Sequence, residues 1–133
     1  MENQNILPVP PWDMESAAAR LQFLEDDFNS LDAEQITQNF TNNAEVRFGT
    51  QFLKGSEEIK NYFSRELAGK KSYYLKLDLW GALKGRMAVR SELSWVDSNG
   101  NQIKTYGVQV FQFSAEGLIE MNYVSFNDHV VSH

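Results

Sequence analysis

Cysteine is absent from this 133-residue sequence, which excludes disulfide staples, thiolate nucleophiles and cysteine-ligated metal sites. Histidine is scarce: His129 and His133 are the only two, both at the C-terminal end. A metal triad or a Ser-His-Asp relay needs imidazoles held inside a fold, so neither is expected, and no metal or other cofactor is assigned. Positive charge is thin too. Twelve Lys and Arg stand against eighteen Asp and Glu, a net −6, and no basic run is longer than Lys70-Lys71. The electrostatic footprint of a nucleic-acid binder is therefore missing. No window approaches the roughly 18 apolar residues of a membrane span. The opening MENQNILPVPP has neither the basic start nor the apolar core of a signal sequence. A cytoplasmic protein without nucleic-acid or membrane partners is the expectation.

What is present is enough for one folded domain: 42% hydrophobic and 13% aromatic residues can bury a single core at this length. Residues 1–12, polar and then proline-rich, read as an extended arm; the domain follows over 13–128, and 129–133 is a tail. Asp13 is a good N-cap, and Ala17, Leu21, Leu24 and Phe28 follow at helical spacing, predicting a helix over 14–29. Asp32 with Gln35 resembles a capping box for a short second helix, carrying Ile36 and Phe40 inward and ending at Asn42-Asn43. AEVRF (44–48) is a strand candidate. Ser56 is expected to cap a third helix with the stripe Ile59, Tyr62, Phe63 and Leu67, stopped at Gly69.

From Tyr73 the period changes to two, and three more strands follow at 86–96, 103–113 and 118–127, separated by the turn signals DSNGN and SAEG. Helices first and a meander afterwards is an α+β order. The last two strands carry large apolar groups on both faces: Val108 and Val110 oppose Phe111 and Phe113, and Ile119, Met121 and Tyr123 oppose Leu118, Val124 and Phe126. Helices can cover one face, and a second copy of the chain covers the other, so a homodimer through the outer sheet face is expected.

The stretch AVRSELSW (88–95) sets Arg90 and Glu92 on one face and Val89, Leu93 and Trp95 on the other. Either the charged face is wet, or it lines a cavity where the charges pair. Parity carried across the strands groups Arg90, Glu92, Gln109, Asn122 and Phe126 on the concave side. Beside an arginine, the Glu92 carboxyl would titrate low and could serve as a base. Tyr62 has two readings, core packing or a hydroxyl at the cavity rim.

PPWDMESAA, FNSLDAEQITQNF, FLKGSEEIKNYFSRE, LWGALKGRMAVRSELSW, KTYGVQVFQFSAEGLIEM and SFND together resemble the SnoaL-like branch of the nuclear transport factor 2 and ketosteroid isomerase superfamily. The resemblance implies a cone-shaped, cystatin-like fold: three N-terminal helices packed on a curved antiparallel sheet around an internal cavity, often dimerised through the outer sheet face. By the same comparison, the isomerases' base aspartate falls at Phe48, their helix-one tyrosine at Leu24 and their oxyanion-binding aspartate at Gln109. Steroid-type isomerisation is thereby excluded, since Phe48 can move no proton. Arg90-x-Glu92 resembles the Arg-x-Asp pair of the epoxide hydrolases of this fold, whose final-strand aspartate falls at Val124. The branch tends to carry Trp-Arg-Asn where this chain has Val46-Arg47-Phe48, and a glutamate at Gln109, which implies a more apolar cavity here.

These readings assign Glu92 as base and Arg90 as its orienting partner. Gln109, Asn122, Phe48, Tyr62 and Phe126 are assigned to hold a small, mostly apolar organic molecule. The enzymatic form would be a cofactor-independent hydrolase or lyase. The alternative is a non-catalytic homodimeric ligand-binding or protein-interaction module.

Overall fold

In the computed structural model, which describes residues 6–132, the Asp13 carboxylate accepts a hydrogen bond from Ser16 N at 2.7 Å, and Ser16 Oγ accepts from Asp13 N at 3.1 Å. This reciprocal box opens helix α1, Met14–Asn29, whose inward stripe is Ala17, Arg20, Leu21 and Leu24. Asp32 caps the short α2, Ala33–Thr37, through Glu34 N at 3.0 Å. α2 stops sooner than its pattern suggests. By Phe40 the chain is already extended in strand β1, Phe40–Phe48, so Asn42-Asn43 lies within a strand and does not terminate a helix. The reason is non-local: Phe40 pairs with Ile119, and that ladder overrides a marginal helical turn.

Strand β2, Gln51–Lys54, folds back on β1, and Gly55 leads into α3, Ser56–Ala68. Gly55, not Ser56, is the N-cap; its φ of 89° belongs to the region that glycine tolerates. Strands β3 (Lys71–Leu83), β4 (Arg86–Val96), β5 (Gln102–Phe113) and β6 (Ile119–Ser132) complete one six-stranded sheet, ordered β2-β1-β6-β5-β4-β3. The meander is antiparallel, while β1 joins β6 in parallel, so the sheet is mixed. Three helices on this sheet make the α+β, cone-shaped fold. Residues 129–132, expected as tail, extend β6: His129 pairs with Lys104 and Val130 with Ile103. The start of β5 would otherwise leave its backbone groups without a ladder partner on that side. Residues 1–5 of the arm and His133 lie outside the described residues.

A register shift between Gln112 and Phe113 alters the alternation in β6. Ile119 pairs with Phe113 and is fully buried, whereas Met121 pairs with Gln112 on the outer side. The extra residue between them sends two side chains of equal parity to opposite faces. The arm, for its part, packs into the core at its end. Trp12 is 8% exposed, with its ring edge-on to Phe113 at 5.2 Å between centroids. Gly117, in the β5–β6 turn, lets this arm approach: its φ is +84°, and an added Cβ would stand 2.6 Å from Pro8 O. Gly117→Ala is expected to cost about 2–4 kcal/mol from backbone strain plus displacement of the arm. A lowered urea midpoint with a red shift of Trp12 fluorescence is the result to look for.

Candidate ligand-binding cavity

The register decides which side chains face inward. β4 and β5 pair Val89 with Gln109, Ser91 with Gly107 and Leu93 with Thr105; β5 and β6 pair Gln109 with Val124 and Gly107 with Phe126. Residues paired across a ladder share a face. Val89 is 1% exposed and packs in the core, so all of these point toward the helices. Between this inner face and α3 lies a cavity of 190 Å³.

Aromatic rings form its walls. Phe48 stacks on Tyr62 at 4.5 Å and 16°, with Phe126 at 6.0 Å on the strand side and Phe63 edge-on at 6.2 Å. β1 supplies Phe48, α3 supplies Tyr62 and Phe63, and β6 supplies Phe126, so the clamp exists only once helix and sheet have packed. Burial, reinforced by the nearby Glu66 carboxylate, pushes the Tyr62 hydroxyl up to about 12. The same two influences, with Tyr62 added, raise Tyr73, so both phenols stay neutral donors at ordinary pH.

The buried end is polar but uncharged. Asn122, 4% exposed, donates through Nδ2 to Gln109 Oε1 and to Val110 O, each at 3.2 Å. Ser91, also buried, lies on the neighbouring strand. Charges gather at the open end. Lys70 Nζ bonds Glu66 at 2.6 Å and sits 4.4 Å from the centre of the Trp95 ring. Trp95 Nε1 donates to Thr105 Oγ1 at 2.9 Å, which in turn donates to Asp128 at 2.6 Å.

Gln109, Asn122, Phe48, Tyr62 and Phe126 therefore all line the cavity. Arg90 and Glu92 do not. They pair across the ladder with Val108 and Tyr106, both exposed, and so stand on the outer face. Glu92 bonds Lys104 Nζ at 2.5 Å, and this bond holds its carboxyl below the usual range. The assignment of Glu92 as base and Arg90 as its partner in the cavity is corrected on this ground. The sequence parity separates two faces correctly, but Gln109 pairs with Val89, which puts Gln109 opposite the charged row. Leu93 and Trp95, on the face opposite the charges, reach the cavity together with Ser91. Thr105 and Asp128 carried no signal that could have placed them.

Glu92 and Lys104 are each about a third exposed at the sheet surface, so solvent partly screens their pair. The Glu92 carboxyl titrates lower when folded, so its contribution is present at neutral pH and lost as pH falls through that lowered pKa. Glu92→Gln is expected to leave the urea midpoint at pH 7 almost unchanged, with any small loss vanishing in high salt.

No curated protein matches the chain in sequence. Among solved structures, an epoxide hydrolase/cyclase-like enzyme, SalBIII, of pyran ring formation in the polyether salinomycin is similar at 22% identity and a TM-score of 0.72, covering 88% of this chain and 99% of that one. The BvnE pinacolase of Penicillium brevicompactum gives 13% and 0.70, over 80% and 82% of the two chains. A hypothetical protein from Catenulispora acidiphila DSM 44928, with a ketosteroid isomerase-like fold and in complex with trimethylamine, gives 9% and 0.69, over 78% and 82%. At these identities the likeness establishes the fold alone, one shared with a protein of ketosteroid isomerase-like fold, and leaves chemistry to the site. Residues 10–133 match the family model described as protein of unknown function DUF1348, and the chain belongs to that family.

Proposed function

We propose that this chain binds a small, mostly apolar organic molecule in the cavity between α3 and the inner sheet face. One observation carries the reading: an aromatic-walled void of 190 Å³ that ends in a bonded pair of side-chain amides. Apolar walls with a few convergent polar groups are the usual make-up of a small-molecule site. Among the described residues, the ionisable groups lining the cavity other than the two phenols are Glu66, Lys70 and Asp128 at the open end, each already bonded within the protein. With Glu92 outside, no carboxylate stands at the buried end to activate a water. The non-catalytic binding reading is therefore favoured over a hydrolase or lyase. The exposed apolar outer face supports self-association as the second element of this function.

Native mass spectrometry of the purified protein should reveal a co-purifying adduct. Leu93→Trp, which fills the void with an indole, should lose that adduct while its far-ultraviolet circular dichroism is unchanged. Retention of the same adduct by Leu93→Trp would place the molecule elsewhere and remove the proposal.

A further inference from the structure

We infer that the buried end of the cavity selects a neutral head group that both donates and accepts hydrogen bonds, a hydroxyl or a carboxamide, and rejects carboxylates and ammonium ions. This deepens the binding reading above and rests on it.

The polarity of the amide pair is set by the backbone. Val110 O can only accept, so the Asn122 atom 3.2 Å from it is Nδ2 and not Oδ1. The second Nδ2 proton goes to Gln109 Oε1, also at 3.2 Å. That leaves Gln109 Nε2 with donors and Asn122 Oδ1 with lone pairs, neither bonded to any protein group among the described residues. The Ser91 hydroxyl, which lies over Gly107 on the same inner face, makes no hydrogen bond among the described residues and can play either part. One donor and one acceptor therefore meet at this end, where no charged side chain of the described residues stands, with the Ser91 hydroxyl further along the same inner face.

An ion fits this end badly. A carboxylate accepts only, so it would set an oxygen against Asn122 Oδ1 with no cation to offset its lost hydration. An ammonium donates only, and it would meet Gln109 Nε2 with no carboxylate near. Burying an unpaired ion costs far more than burying a bonded neutral group. The one lysine lining the cavity, Lys70, is bonded to Glu66 at the open end. Size narrows the ligand further. A dry cavity of about 150 Å³ takes benzene, so 190 Å³ suits a single ring with a short polar arm.

The test uses the full chain at pH 7 and four probes with one ring and different heads: 2-phenylethanol, phenylacetamide, phenylacetate and 2-phenylethylammonium. Binding is read by Trp95 fluorescence and by ligand-observed nuclear magnetic resonance. The two neutral probes are expected to bind at least about tenfold more tightly than either ion. Gln109→Glu removes the free donor and adds a carboxylate, so the ammonium probe should overtake the alcohol. Gln109→Leu should weaken both neutral probes and so narrow their lead over the two ions. Either ion matching the neutral probes in the parent protein would overturn this inference while leaving a binding cavity. Failure of all four probes to bind would instead overturn the cavity reading, and this inference with it.

Discussion

Replacing Arg20 by alanine is expected to cost about 3–5 kcal/mol of stability, whereas Arg20→Met should stay within about 1 kcal/mol of the parent. Arg20 sits in the inward stripe of α1 and is 0% exposed. Its Nε donates to Gly117 O at 2.8 Å, and the guanidinium lies 5.2 Å from the centre of the Phe113 ring. Both Nη atoms are buried and unbonded among the described residues. Burial pulls the group from 12.5 down to about 10, with the Asp27 carboxylate opposing. It is thus still charged at neutral pH, and keeping that charge inside costs about 3 kcal/mol. Because the folded pKa lies below the unfolded one, this cost is present at every pH below about 10 and fades only above it.

Alanine removes the charge but also the long stem that fills the space beneath the β5–β6 turn, and it leaves Gly117 O without its donor. Methionine removes the charge and the bond but keeps most of the volume. The relief from desolvation then offsets the lost hydrogen bond. Urea midpoints of the two variants decide the matter: equal damage from both would mean that the charged fork itself is bonded and holds the turn.

At micromolar concentration the protein should sediment at about twice the 15.3 kDa chain mass, and Val108→Glu with Val110→Glu should reduce it to the monomer with its fold intact. Val108 is 64% exposed, Val110 49% and Tyr123 42%, and the ladder sets Val110 directly against Tyr123 and Ala88. Met121 extends the patch toward Leu83 along an apolar depression of the outer face. A contiguous patch of this kind on a sheet is rarely left to water. Each glutamate would have to enter the interface without a partner, so the expected shift in the dimer constant is at least about a hundredfold. A parent protein that stays monomeric at these concentrations would end the proposal. The charged row of Lys76, Arg90 and Glu92 adjoins the patch and would form its polar rim.

Much of this architecture is legible in local chemistry. Asp13 and Ser16 announce the start of α1, and the apolar stripe of α3 announces its buried face. The period of two from Tyr73 onward marks the strands, and DSNGN and SAEG mark their turns. Even Arg20 fits the stripe by spacing, three residues after Ala17 and four before Leu24, but its residue type hides it, because arginine is seldom buried whole. Phe48, Tyr62, Gln109, Asn122 and Phe126, singled out by parity, helical spacing and family resemblance, line one cavity.

Which side of the sheet is the inside was beyond the sequence. Alternation divides AVRSELSW into two faces without labelling either, and the label came from the pairing of Gln109 with Val89 and from the helices that cover that side. The parallel docking of β1 on β6 and the shift that parts Ile119 from Met121 depend equally on distant segments. Helix and strand type follow from neighbours a few residues apart, so local sequence determined them. Register and inwardness are free-energy choices made by the whole packed core, because sliding or flipping one strand exchanges every buried side chain for an exposed one.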